Sequence, residues 1–123
     1  MATGLENLKI YQLAADLEVA VHEIIRRFPN DERFRSVDQL SRSSSSVTNN
    51  IAEAYHKRSL KEKIRILNDI VKGEAEETKR NLDVCSRKGF HSNTEISAKY
   101  TDLLKMVSGY IRFLRAQTNK PQN

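Results

Sequence analysis

The fold turns on one stretch, Gln39-Leu40-Ser41-Arg42-Ser43-Ser44-Ser45-Ser46-Val47-Thr48-Asn49-Asn50-Ile51-Ala52-Glu53-Ala54. By propensity its four consecutive serines read as a flexible linker, because serine competes with the backbone for hydrogen bonds and loses little by staying unstructured. The apolar residues argue against that. Val37, Leu40, Val47, Ile51 and Ala54 keep helical spacing across the serines, so the run reads as the small-residue face of a continuous helix that a neighbour can approach closely. The expectation is a helix over about 36–56, with the linker reading set aside.

Working outward, Ile10, Leu13, Ala14, Leu17, Val21, Ile24, Ile25 and Phe28 recur at steps of three and four, predicting an amphipathic helix over about 7–28. Pro29 ends it, since the residue before proline is pushed out of the α region, and Phe28 folds back as an apolar plug. On the other side, Ser59-Leu60-Lys61-Glu62 is a capping-box pattern, which opens a third helix. Its stripe is Leu60, Ile64, Leu67, Val71, Ala75, Thr78, Leu82 and Cys85, closed near Lys88-Gly89. That gives the longest helix, about 59–88, with Gly73 marking a site of close helix packing. Ser92-Asn93-Thr94-Glu95 repeats the box, and Ile96, Tyr100, Leu103, Leu104, Val107, Tyr110, Ile111 and Leu114 carry a fourth helix over about 93–116. Residues 117–123 are expected to fray. Met106 and Phe113 widen the apolar band of this last helix beyond one buried stripe, which predicts a second, intermolecular interface.

With 123 residues, 38% hydrophobic and 30% charged, four Gly and two Pro, the chain suits a single all-α domain, an antiparallel up-and-down four-helix bundle. The first residues hold no basic stretch followed by an apolar run, nowhere do about 18 apolar residues follow one another, and Cys85 is the sole cysteine. The expectation is therefore a cytoplasmic protein without disulfides, away from membranes.

Enzymatic chemistry finds little to stand on. No Walker loop, G-x-G-x-x-G, G-x-S-x-G or H-E-x-x-H occurs, and His22, His56 and His91 fall on separate elements with no carboxylate or thiolate at ligand spacing. Cys85 sits on an apolar stripe, as an inert thiol does. No enzyme, metal or cofactor is expected.

The informative side chains are polar and basic. Gln39, Arg42, Ser46, Asn50 and Glu53 form one polar seam beside the apolar face of the second helix, in which Arg42 can pair with Glu53 or with a carboxylate from another helix. Such a seam fixes helix register or subunit packing, or lines a pocket. The net charge is +5, and residues 1–32, 33–88 and 89–123 carry −3, +5 and +3. Lys57, Arg58, Lys61, Arg65 and Lys72 cluster at and after the turn into the third helix, the last three with Asn68 at steps of four, three and four. On the fourth helix Lys105, Arg112 and Arg115 share a face with Thr101 and Ser108. Stripes of this kind follow a phosphate backbone. Lys57, Arg58, Lys61, Arg65, Lys72, Arg112 and Arg115 are the candidate RNA- or DNA-binding residues, against the plain alternative of a solvated face whose cations are cancelled by Glu62, Asp69 and Glu76. No recognition-helix signature or exposed aromatic platform is visible, so binding would be electrostatic.

The run from Gln39 to Ala54, followed by Lys57-Arg58-Ser59 and Glu62, resembles the signature of the bacterial four-helix-bundle proteins named after intervening sequences of 23S rRNA genes. Leu8-Lys9-Ile10-Tyr11-Gln12-Leu13-Ala14, Phe28-Pro29 and the stretch from Leu82 to Gly89-Phe90 support it. The sequence departs from the pattern at Ala54, where Gly is usual, at Lys63, where an aromatic is common, and around Lys72-Gly73-Glu74. The resemblance implies a barrel-like homopentamer. It is also similar to the accessory proteins of diversity-generating retroelements, which bind nucleic acid and a reverse transcriptase. Two function classes follow: a nucleic-acid-binding accessory factor, or a scaffold that docks a partner protein such as a reverse transcriptase.

Overall fold

The computed structural model describes residues 4–118. Its main elements are α1 (Lys9–Ile25), preceded by a 3-10 turn Leu5–Asn7; α2 (Ser36–His56), preceded by a 3-10 turn Asn30–Glu32; a long third helix; and α4 (Glu95–Thr118). The third helix, α3, spans 60–87 as an α-helical segment Leu60–Ile66, a π turn Leu67–Val71 and a second α-helical segment Lys72–Arg87. The first packs on the second, the second on the third, the third on the fourth, and the fourth returns to the first. Among the described residues there are four main helices and no strands.

The serines of α2 are helical, and two of them are core residues. Ser43 and Ser44 are buried among Leu40, Val47 and Ile51. A buried hydroxyl needs a partner, and each has one: Ser44 Oγ donates to the Leu40 carbonyl at 2.7 Å, while Thr78 Oγ1 of α3 donates to Ser43 Oγ at 2.8 Å. Thr48 Oγ1 donates to the Ala14 carbonyl of α1 at 3.3 Å. The small side chains let α2 approach both neighbours, and their hydroxyls bind the three helices together where leucine would hold them apart.

Connections follow from local chemistry. Ser59 Oγ accepts from the Glu62 amide at 3.0 Å, one half of the capping box. The Glu62 carboxylate takes Arg65 instead of reaching back. At the other end of α3, Gly89 has φ +84°, the left-handed conformation that glycine adopts without steric cost. Phe90 N–H to Cys85 O and Gly89 N–H to Ser86 O, both 3.0 Å, complete a Schellman motif. Phe90 then lies 5.3 Å, centroid to centroid, from Phe28, the buried plug after α1. The cap of α4 is Asn93, one residue beyond the expected Ser92: its Oδ1 accepts from the Glu95 and Ile96 amides at 3.1 and 3.2 Å. α1 stops at Ile25, three residues short of the expected 28, with a turn over 26–28, and α4 runs to Thr118, two residues past the expected 116; the rest of the tail expected to fray, 119–123, lies outside the described residues.

Two further expectations are corrected. Gly73 is exposed, and a Cβ there would meet nothing within 4 Å, so it marks no close packing; it follows the π turn by two residues. The stripe of α3 does not run in a single α register either. A π turn takes up close to one extra residue, which rotates the residues before it relative to those after it. Ile66, outside the expected stripe, is buried beside Leu67, while Leu60 and Ile64 are only half-buried. The same rotation carries Lys63 inward, where its Nζ donates to the Tyr55 carbonyl at 2.6 Å and sits 5.5 Å from the Tyr55 ring centroid. A lysine thereby caps the carbonyl end of α2.

Tyr100 of α4 is fully buried, and among the described residues its hydroxyl has no hydrogen-bond partner. Burial, with a contribution from Glu18, pushes its phenol up from the usual tyrosine range, so the group stays neutral. A buried unpartnered hydroxyl costs about 1–3 kcal/mol. Tyr100→Phe is therefore expected to stabilise the fold by about 1 kcal/mol, read as a higher urea midpoint at unchanged m-value; a lower midpoint would mean that the hydroxyl is satisfied.

Candidate nucleic-acid interface

Helices α3 and α4 meet along an outer seam whose polar residues come from both. After the π turn, Lys72, Glu76, Lys79, Arg80 and Asp83 fall on the side of α3 that faces α4. From α4, Thr101, Leu104, Lys105, Ser108 and Arg112 point back at steps of three and four. The result is two adjoining open depressions of about 470 and 530 Å³ that share Glu76, Thr101 and Leu104. Five cations line them against two carboxylates. Leu104 is the one large apolar side chain that lines them.

Among the candidate binding residues, Lys72 and Arg112 are brought together here, and Lys105 joins them. Lys79 and Arg80 belong to the same surface and are not among the candidates read from the sequence, although their spacing from Lys72, seven and eight residues, is the available signal. Lys61 and Arg65 do not continue the line of Lys72, because the π turn between them breaks the α register that a four-three-four spacing assumes. Arg65 is also paired, its Nη2 lying 3.1 Å from Glu62 Oε1, and that carboxylate raises its guanidinium pKa while being held below its own usual range. Lys57 is 3.9 Å from Glu53 one turn earlier. Arg58 is exposed in the turn before α3, and Arg115 is exposed near the end of α4.

The polar seam of α2 is divided. Gln39, Arg42 and Glu53 are exposed, Ser46 and Asn50 half-buried. Ser46 Oγ donates to Glu74 Oε2 of α3 at 2.9 Å, and Asn50 Nδ2 donates to the Ser46 carbonyl and hydroxyl at 2.8 and 3.0 Å. This part fixes α2 against α3. Arg42 pairs with neither expected partner; it lies 3.5 Å from Asp38, one turn earlier on its own helix. Eleven residues separate it from Glu53, roughly 16 Å along the axis.

Cys85 is buried, and burial pushes its thiol up from its ordinary range, which keeps it protonated. His22 and His56 are exposed. His91 sits in the α3–α4 connection, its Nε2 2.8 Å from the Leu82 carbonyl and its Nδ1 accepting from the Asn93 amide at 3.1 Å. Among the described residues no group of three His, Cys, Asp or Glu side chains could hold a metal ion, and no helix is long and apolar enough to cross a membrane.

Two comparisons bear on these features. The sequence profile described as 23S rRNA-intervening sequence protein matches residues 6–109. The chain is also similar to a crystal structure, at 1.70 Å resolution, of a protein with unknown function from the S23 ribosomal protein family of Bacteroides thetaiotaomicron VPI-5482. The TM-score is 0.75 at 24% identity, over 83% of this chain and 97% of that one, a likeness that shows the fold. No curated protein matches the chain.

Proposed function

Because this chain belongs to the 23S rRNA-intervening sequence protein family, we propose that it is a non-enzymatic accessory protein. In this reading it is an antiparallel four-helix bundle that associates with itself, as a homopentamer, and binds RNA or DNA through the α3–α4 seam. The observation that carries this reading is the convergence of Lys72, Lys79, Arg80, Lys105 and Arg112 from two helices on one open surface, with only Glu76 and Asp83 opposing. Separate cations on a solvated helix face release few counterions, whereas cations ranged along a trough can each meet a phosphate. Self-association would repeat the trough around an axis and raise the field. Met106 and Phe113, exposed on the flank of α4 away from the trough, support that step.

Neither the family nor the structural neighbour indicates an enzyme. The test is a titration of nuclease-treated protein against a mixed-sequence 20-nucleotide RNA and a DNA duplex at two salt concentrations, after its mass is fixed by light scattering. Micromolar or tighter binding is expected at low salt, with three or more counterions released. Absence of binding at low salt would overturn the reading.

A further inference from the structure

We propose that the Arg33-Phe34-Arg35 knuckle before α2 is a stacking contact for an unpaired base, which makes the strand bound by this protein a single-stranded nucleic acid. The inference rests on the anionic-strand reading above and adds to it the form of the strand.

Two phenylalanines lie in the connection between α1 and α2, and the fold treats them oppositely. Phe28 is buried against Phe90 and His91. Phe34 is 85% exposed, more than any other large apolar side chain described. Nothing in the local backbone is loose enough to explain this as a side chain that failed to find the core. Glu32 N–H donates to the Pro29 carbonyl at 2.9 Å, Arg33 N–H to Asn30 at 3.2 Å and Arg35 N–H to Glu32 at 3.0 Å. The Glu32 carboxylate is itself buried and accepts from Ser36 Oγ at 2.6 Å. The turn is thus fastened on both sides of Phe34, and the ring is held out on a firm base.

Charge selects the occupant. The Arg33 guanidinium lies 5.5 Å from the Phe34 ring centroid, and residues 26–35 contain four arginines, of which Arg26 is paired with Glu23 at 3.2 Å, against Asp31 and Glu32. Glu32 stays ionised, holding Ser36 and facing Lys88 and Arg35, so Arg33 is the guanidinium at the ring whose charge is left to a ligand. A flat apolar face beside guanidinium groups suits a ligand that is both planar and anionic. A nucleotide in an unpaired strand offers both, its base to the ring and its phosphate to the arginines. A duplex keeps its base faces stacked inside and offers the knuckle only phosphates. The two surfaces therefore divide the work: the α3–α4 trough supplies the salt-dependent part of binding, and Phe34 supplies a part that salt does not screen.

The chain contains no tryptophan, so Phe34→Trp places the protein's sole indole at the contact, to be excited apart from its four tyrosines. Wild type, Phe34→Ala, Phe34→Trp and a trough variant, Lys105→Gln with Arg112→Gln, are titrated with a fluorescent 20-nucleotide single strand and with the matching duplex at several salt concentrations. Phe34→Ala is expected to weaken single-strand binding about tenfold or more with an unchanged salt slope, and to leave duplex binding as in wild type. Phe34→Trp should keep single-strand affinity, with its indole emission quenched by an unlabelled single strand. The proposal is overturned if Phe34→Ala binds both forms like wild type, if it weakens both equally, or if the indole emission of Phe34→Trp is indifferent to a saturating strand. Should the trough variant alone lose affinity, the accessory-factor reading stands while this one falls, leaving Phe34 to a protein partner. Wild type that binds neither form sinks both.

Discussion

Replacing Lys72, Lys105 and Arg112 together with glutamine is expected to lower affinity for a single-stranded 20-mer about 100-fold at ~0.1 M salt and to flatten the salt slope by about two. Each phosphate neutralised on a single strand contributes about 0.7 to that slope, so three contribute about 2, and at ~0.1 M salt that exponent is worth roughly two decades. The three side chains line one depression, and the effect of losing all of them should be near the sum. Arg65→Gln provides the contrast. Its guanidinium already holds Glu62 at 3.1 Å, so removing it frees a carboxylate as well as deleting a cation. A triple variant that binds with wild-type affinity and slope would show that the trough is solvated surface. An Arg65 effect as large as that of the triple variant would move the interface to the other end of α3. Circular dichroism controls for folding, which these outward-facing residues are not expected to affect.

How far the sequence can be read depends on which physical signal a residue carries. The Ser59 cap and the glycine that closes α3 rest on local chemistry, on a hydroxyl and a positive φ, and local chemistry is written in the sequence. The serine run is legible as helix because the apolar residues flanking it share a phase; that its hydroxyls bind Thr78 and Ala14 is not, since a hydroxyl does not announce its partner. The π turn in α3 leaves no trace in the periodicity. Leu60, Ile64 and Leu67 fit an uninterrupted α stripe as well as they fit the interrupted one, and only the burial of Ile66 separates the two. That single residue of slip is why Lys61 and Arg65 align with Lys72 on paper and why Lys79 and Arg80 do not stand out. Arg42 illustrates the opposite error, a long-range pair preferred over the i, i+4 carboxylate at Asp38 that is always within reach. Phe34 is invisible for a different reason. An apolar residue in a connection is expected inside, and that Phe34 finds no place in the core is a tertiary fact.

The other large effect is expected on α4. Met106 and Phe113 are 36% and 55% exposed, Tyr110 lies between them half-buried, and the Tyr110 and Phe113 rings stack at 6.0 Å. Steps of four and three put the three on one helix face, on the flank away from Lys105 and Arg112. Tyr110 packs against the core, but Met106 and Phe113 beside it do not, and exposed apolar side chains grouped in this way are the kind of surface that two copies bury together. If the protein self-associates as proposed, Met106→Asp with Phe113→Asp should make it a monomer at micromolar concentration, read by light scattering, with helical content retained because neither side chain belongs to the core. A carboxylate carried into an apolar interface loses its hydration without gaining a partner, at a cost of several kcal/mol per ion, and each interface would receive at least two. Dissociation should also weaken nucleic-acid binding, since linked troughs bind one strand with an effective concentration that single bundles lack. The order of the two effects separates the readings. A variant that is monomeric yet binds RNA with wild-type affinity would place recognition within a single bundle, and a variant that stays associated would remove α4 from the interface altogether.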